Sequence, residues 1–404
     1  MVRVDGTRFV VGDGDRTVYL SGFNANWLME MASDPSQRGK VVAAFRQASE
    51  HGLNLARTWA FSDGGDRPLQ SSPGVYHEDM FQGLDFVIAE ARRHGIYLLL
   101  CLTNNFDDFG GRRQYVQWAR EDAASGAGGH NLTSADDFFN STLVKSYYKN
   151  NVKTVLTRVN TVTGVAYKDD PAILGWELMN EPRCNAEPNR GKELNPWGIY
   201  YGTNFIATHQ AAGIDFATIH LYPDVWLWGT TADEQATFFR NWTASHVRHT
   251  EQHLGMPLLV TEYGKFLWGD QEGGENATAR RDRFLGTVLD AIYESASRGG
   301  PLVGGAFWQL LLDGDDMDAL KDGYQIVLPE DERAASIISE HSEKMAELSE
   351  QDAAAEARGR RRSSEPRKVR SFGSSRSSTR PYVHRLLLRF GSFFRSVYSL
   401  LGAV

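Results

Sequence analysis

The 404-residue chain is short of cysteine: it has two, Cys101 and Cys184. Two thiols exclude a disulfide framework and a cysteine-built zinc site, and their positions at the ends of apolar runs suit buried free thiols. No apolar run reaches the roughly 18–20 residues that a membrane span needs. The first twenty residues, MVRVDGTRFVVGDGDRTVYL, contain no continuous apolar stretch, so no signal peptide is expected in them. Positive charge is scarce until the end: residues 358–404 carry 12 Lys/Arg and one acid, and the rest carry 31 Lys/Arg against 50 Asp/Glu. The body is therefore acidic and the tail basic. No nucleic-acid partner is expected, and a monomer is. Four Asn-X-Ser/Thr sequons, at Asn131, Asn140, Asn241 and Asn276, favour secretion only weakly, since chance supplies about two.

What is present is apolar residue in short, regularly spaced runs. They fall at 18–22, 53–60, 96–102, 173–178, 216–221, 257–261 and 304–310. Helical patterns separate them, over 40–51, 80–94, 143–162, 232–253 and 279–298. Gly52, Gly95, Gly255 and Gly299 each follow one of these helices, where a C-cap favours glycine. Continuous apolar strands alternating with helices predict a parallel sheet buried on both faces. An α/β (β/α)8 TIM barrel suits this pattern better than a doubly wound sheet, because the polar residues gather at the C-terminal ends of the strands. The predicted domain covers residues 1–342. Residues 343–381 read as a helix running out of the domain and then an Arg/Ser-rich, disordered linker. Residues 382–404 have helically spaced Leu386, Phe390, Phe393, Val397 and Leu400, a basic amphipathic segment suited to weak contact with an anionic membrane surface. Its plainer reading is an appendage without function.

In chain order the strand ends carry Asn24 and Trp27, Arg57 and Trp59, Asn104 and Asn105, Asn180 and Glu181, His220 and Tyr222, Glu262, and Trp308. Two carboxylates on different strands, Glu181 and Glu262, suggest glycoside hydrolysis. One must be protonated as general acid near neutral pH and the other ionised as nucleophile, a division made by unlike environments. Arg57, His220 and Tyr222 are candidates for keeping Glu262 ionised. Asn180 is a candidate partner for a sugar 2-hydroxyl, and Trp308 for an apolar platform under a pyranose ring. Taken singly, each motif has a plainer use, as a solvated turn, a satisfied histidine or a core aromatic. Their ordered recurrence at successive strand ends points to a site.

The stretches GFNANWLM, LNLARTWAFSDGG, YKDDPAILGWELMNEPRC, GIDFATIHLYPDVW, LLVTEYGK, FWQL and DGYQIVL together resemble the endo-β-1,4-mannanases of glycoside hydrolase family 5, of the plant and fungal kind. The resemblance covers about residues 5–340. It implies retaining hydrolysis of a mannan-type polysaccharide, with Glu181 of Asn-Glu-Pro as acid/base and Glu262 of Thr-Glu-Tyr-Gly as nucleophile. It also implies substrate contacts from Trp27, Arg57, Trp59, Asn104, Asn180, His220, Tyr222 and Trp308, no catalytic metal or cofactor, and an extracellular setting. Mannan rather than glucan comes from the resemblance alone, and a β-1,4-glucanase is the alternative. Two departures stand out. Phe106 replaces the family's usual Trp after the paired Asn. Only 33 residues, 182–214, separate Glu181 from Asp215, where two βαβ steps take about 60. The helix after strand 4 and the whole of strand 5 are expected to be absent, which sets an inactive or unstable chain beside the active enzyme as an outcome.

Overall fold

The computed structural model describes residues 1–12, 15–123, 132–183, 204–267 and 276–364. A small antiparallel sheet, β1 (Arg3–Asp5), β2 (Arg8–Val11) and β3 (Arg16–Val18), precedes the main body. The main sheet follows with β4 (Leu20–Asn24) and β5 (Leu55–Trp59). A short hairpin, β6 (Gln70–Ser72) and β7 (Val75–Tyr76), interrupts it. It continues with β8 (Tyr97–Cys101), β9 (Ile173–Glu177), β10 (Ala217–Leu221), β11 (Leu258–Tyr263) and β12 (Leu302–Phe307). Its order is β10-β11-β12-β4-β5-β8-β9, with every neighbouring pair parallel. All seven predicted apolar runs are strands of this sheet. They are apolar throughout because both faces are covered: Leu20, Phe23, Leu55, Leu98, Leu100 and Ala306 are all fully buried.

The connecting helices are α1 (Leu28–Ser33), α2 (Arg38–Glu50), α3 (Glu78–Arg93), α4 (Gly111–Asp122), α5 (Asp137–Asn140), α6 (Thr142–Thr157), α7 (Phe205–His209), α8 (Pro223–Trp226), α9 (Ala232–His249), α10 (Ala277–Ser297) and α11 (Glu332–Ser364). The glycines expected to follow the helices, Gly52, Gly95, Gly255 and Gly299, all take positive φ, between 63° and 72°, the conformation a side chain resists.

The sheet is curled, as side chains that bridge its interior show. Arg57 of β5 donates to Glu262 of β11 at 2.5 Å, although β4 and β12 lie between those strands in the sheet. Asn24 of β4 likewise donates to the carbonyl of Thr261 at 2.9 Å. Among the described residues β9 and β10, the fourth and sixth strands of an eightfold barrel, are the two edges, and no strand is described between them. The edges approach each other: the Phe216 ring, just before β10, comes so close to Gly175 of β9 that a Cβ there would meet it at 2.8 Å. Phe216 also packs edge-on against Phe9 of β2, with ring centroids 5.8 Å apart.

The expected domain limit at residue 342 falls inside α11. Met345 and Leu348 are buried against the core. Ser349 donates to the Thr17 carbonyl at 2.5 Å, Tyr19 to Asp352 at 2.7 Å and Arg8 to Glu356 at 3.0 Å. The helix therefore lies on the N-terminal strands instead of running out of the domain. The Arg/Ser-rich stretch after 364 and the amphipathic segment 382–404 lie outside the described residues. Among those described, no helix is long and apolar enough to cross a membrane.

Candidate active site

The parallel strands present their C-terminal ends on one side, and the polar residues singled out in the sequence collect there. Arg57 is the hub. Its Nε donates to Glu177 at 2.6 Å, NH1 to Glu262 at 2.5 Å and to Asn24 at 3.0 Å, and NH2 to Asn180 at 2.9 Å. Burial opposes the guanidinium charge, but Glu177 and then Glu262 outweigh it and hold Arg57 charged. A carboxylate held by such a donor is oriented, and its charge is compensated, by a charge-assisted hydrogen bond. Tyr222 adds a hydrogen bond to the other oxygen of Glu262 at 2.9 Å. Burial, with the charges of Glu262 and Glu181, raises the Tyr222 hydroxyl well above its usual range, so it remains a donor.

Glu181 sits opposite. Its backbone φ is 45°, a left-handed conformation that a glutamate adopts at a cost. Arg183 donates to its Oε2 at 2.7 Å, and Nδ1 of His220 lies 2.9 Å from its Oε1 and 3.3 Å from Glu262 Oε2. Burial pushes the Glu181 carboxyl up, but the hydrogen bond and charge of His220, then Arg183 and Arg57, bring it down to about 2. For His220 burial works against the charged ring, while Glu262 and Glu181 raise its pKa. A general acid protonated on Glu181 itself was expected. In this arrangement His220 and Arg183 face that carboxylate and lower its pKa, while the two glutamates raise that of His220. One oxygen of each glutamate and one His220 ring nitrogen lie within 4.8 Å of one another. So close an approach of two carboxyl groups is in keeping with the narrow spacing of a retaining pair.

Asn180 and Asn104 meet as an isolated bridge between their chain segments. Asn180 donates from Nδ2 to Asn104 Oδ1 at 3.0 Å and accepts from Arg57. Its carbonyl oxygen is thus committed, and an amide nitrogen has a second N–H to offer. The apolar wall beside the carboxylates consists of Trp59, Phe61 and Cys101, with Phe109 and Trp308 against them. Trp59 and Trp308 stand 6.2 Å apart, and the Arg57 guanidinium lies 4.9 Å over the Trp59 ring. Trp308 is tied to Asp322 by its indole N–H at 2.5 Å.

The structure brings together Arg57, Trp59, Asn104, Asn180, Glu181, His220, Tyr222, Glu262 and Trp308. Trp27 is not among them: it is 1% exposed, and its indole N–H donates to the Leu310 carbonyl at 3.1 Å. A tryptophan with its whole ring in the core has no face for a sugar. Sequence reasoning missed Glu177 and Arg183. A signal for Glu177 was available, since a carboxylate inside the apolar run ILGWEL needs a buried cation. Arg183 has no such signal, because its role depends on the turn that Glu181 makes.

The model of the "GH family 5 beta-mannosidase-like" family matches residues 1–197 and 191–314. Mannan endo-1,4-beta-mannosidase 3 of rice is 65% identical over 443 aligned positions, covering 99% of this chain and 92% of that protein. At least 39 of those positions therefore fall opposite gaps in the 404-residue chain. The endo-1,4-beta-mannanase of Rhizomucor miehei superimposes with a TM-score of 0.66 at 26% identity, covering 86% of this chain and 99% of that one. A family 5 mannosidase from the same organism gives 0.72 at 19% identity, a likeness of fold, covering 87% and 99%.

Proposed function

The chain belongs to glycoside hydrolase family 5, and from that membership we propose that it hydrolyses internal β-1,4-mannosidic bonds of mannan, glucomannan or galactomannan with retention of configuration. The observation that carries the reading is the pair Glu181 and Glu262: oxygens within 4.8 Å of a shared imidazole partner, on opposite sides of a curled sheet, in unlike surroundings.

Glu262 is the nucleophile. Arg57 and Tyr222 each occupy one of its oxygens, orient the carboxylate and stabilise its charge until it attacks the anomeric carbon. Glu181 is the acid/base. The acid proton belongs to the Glu181–His220 pair and not to either residue, as expected of coupled sites. When a sugar expels water, the proton shared across the 2.9 Å contact passes through Glu181 to the leaving oxygen. Formation of the glycosyl ester removes the charge of Glu262. Glu181 then accepts a proton from the incoming water. Asn180, held by Arg57 and Asn104, offers its second N–H to the 2-hydroxyl. Trp308 forms the apolar platform under the ring, backed by the buried Trp59.

We further propose that the fifth barrel strand and the helix preceding it are absent, since among the described residues no strand lies between β9 and β10. This reading is also supported by the gapped positions of the rice relative, and by a family match in two stretches that meet at 191–197. We place the working enzyme outside the cell as a monomer, where a wall polysaccharide is met. The exposed sequons Asn140, Asn241 and Asn276 are compatible with that.

The test is hydrolysis of locust bean galactomannan beside carboxymethylcellulose. Release of mannan oligosaccharides with the β-anomer formed first, and no release from the cellulose derivative, is the expected result. Loss of activity by at least 10³-fold in Glu262→Ala fits the magnitude of removing a nucleophile. A soluble, cooperatively folded chain inert on mannan contradicts the assignment.

A further inference from the structure

We infer that the catalytic cluster is also a capture site for a borderline-soft divalent cation of the Zn²⁺ type, which would shut the enzyme by tying its two glutamates to His220. The inhibitory consequence rests on the mannanase reading, whereas the metal capture does not.

Nδ1 of His220 stands 2.9 Å from Glu181 Oε1 and 3.3 Å from Glu262 Oε2. In a tetrahedral zinc site, with bonds of about 2.0–2.1 Å, ligand atoms sit about 3.4 Å apart. Two edges of such a site are therefore already near their length. The third, between the carboxylate oxygens, is at most 4.8 Å and closes with a small side-chain rotation. The remaining oxygens are taken: Glu262 Oε1 faces Arg57 and Glu181 Oε2 faces Arg183. The other two oxygens, Glu181 Oε1 and Glu262 Oε2, both turn toward His220 Nδ1, and Glu262 Oε2 also accepts from Tyr222 at 2.9 Å, a hydrogen bond that a cation would displace. A cation placed among these three ligand atoms meets a favourable charge balance. Glu177, Glu181 and Glu262 oppose Arg57 and Arg183, which leaves one net negative charge around a neutral imidazole. Imidazole and carboxylate are ligands suited to zinc. Three protein ligands leave a fourth position for water on the side where sugar would bind, the open form of a metal site.

A second place for such ions is His249 and His253, whose rings stand 6.1 Å apart near the end of α9, away from the strand ends that carry the cluster. It separates incidental metal binding from the inference. The experiment titrates ZnCl₂ into the full chain during hydrolysis, and CoCl₂ while following visible absorption. One ion per cluster, an apparent KM that rises with Zn²⁺ at constant kcat, and full recovery with EDTA are expected. Glu181→Gln, which preserves shape, and His220→Asn should each weaken Co²⁺ binding at least tenfold. The double variant His249→Gln/His253→Gln should leave both inhibition and activity unchanged. Co²⁺ binding that survives Glu181→Gln and His220→Asn, or inhibition that vanishes in the His249/His253 variant, overturns the inference. The absorption arm decides the metal site even in a preparation without mannanase activity, so the two readings fail separately.

Discussion

Arg57 shows how much of the site one side chain can organise. It reaches four partners from the middle of β5 and is fully buried. Removing one member of a buried charge set leaves the others uncompensated, typically at about 3–5 kcal/mol. The shape-preserving Glu177→Gln removes only the charge. It is expected to lower the melting temperature by several degrees and kcat by about tenfold or more, since Arg57 Nε keeps an oxygen acceptor but loses the opposite charge that fixes it. Unchanged kcat alongside a lowered melting temperature would limit Glu177 to a structural part. Asp63 is a second buried carboxyl. Burial raises it to about 8, against hydrogen bonds from Tyr115, Thr103 and Gln70. A carboxyl with a folded pKa above its unfolded value of about 3.9 binds its proton more tightly when folded. Its contribution is therefore present at low pH and lost as pH rises from about 4 to about 8. Asp63→Asn, uncharged throughout, should flatten the fall in melting temperature across that window, measured by calorimetry at several pH values. A parallel fall in both proteins would remove Asp63 from the account.

At the scale of elements, the strands were legible because each is a continuous apolar run bounded by polar residues, and the helices because their period and glycine C-caps agree. What sequence could not supply is partnership across the sheet. Arg57 and Glu262 are 205 positions apart, and nothing local to either names the other. Trp27 was drawn to the site by its place at a strand end, but a tryptophan's neighbours, and not its position, decide between core and groove. Helix α11 continued past the expected limit because Met345 and Leu348 carry its apolar stripe onto the N-terminal sheet. Truncation after 342 is therefore expected to destabilise the chain strongly. It exposes that surface and removes the partners of Thr17, Tyr19 and Arg8. Truncation after 364 is expected to leave the melting temperature within a degree or two. Equal stability of the two truncations would show that the helix end is dispensable.

At the scale of the molecule, the described strands form a curled sheet whose end strands, β9 and β10, approach each other at Gly175 and Phe216. The catalytic residues span it from β9 and β10 at its edges to β5 and β11 within it, so chemistry here depends on the curl being kept. The measurement that bears most directly on this account is mechanism-based labelling. The full chain is incubated with a 2-deoxy-2-fluoro-mannobiosyl fluoride, and its proteolytic peptides are weighed by mass spectrometry. A single glycosyl adduct on Glu262, absent from the Glu262→Ala variant and removed when an acceptor sugar is added, is the result expected of an assembled retaining site. A folded chain that takes no label, or takes it elsewhere than Glu262, would contradict it.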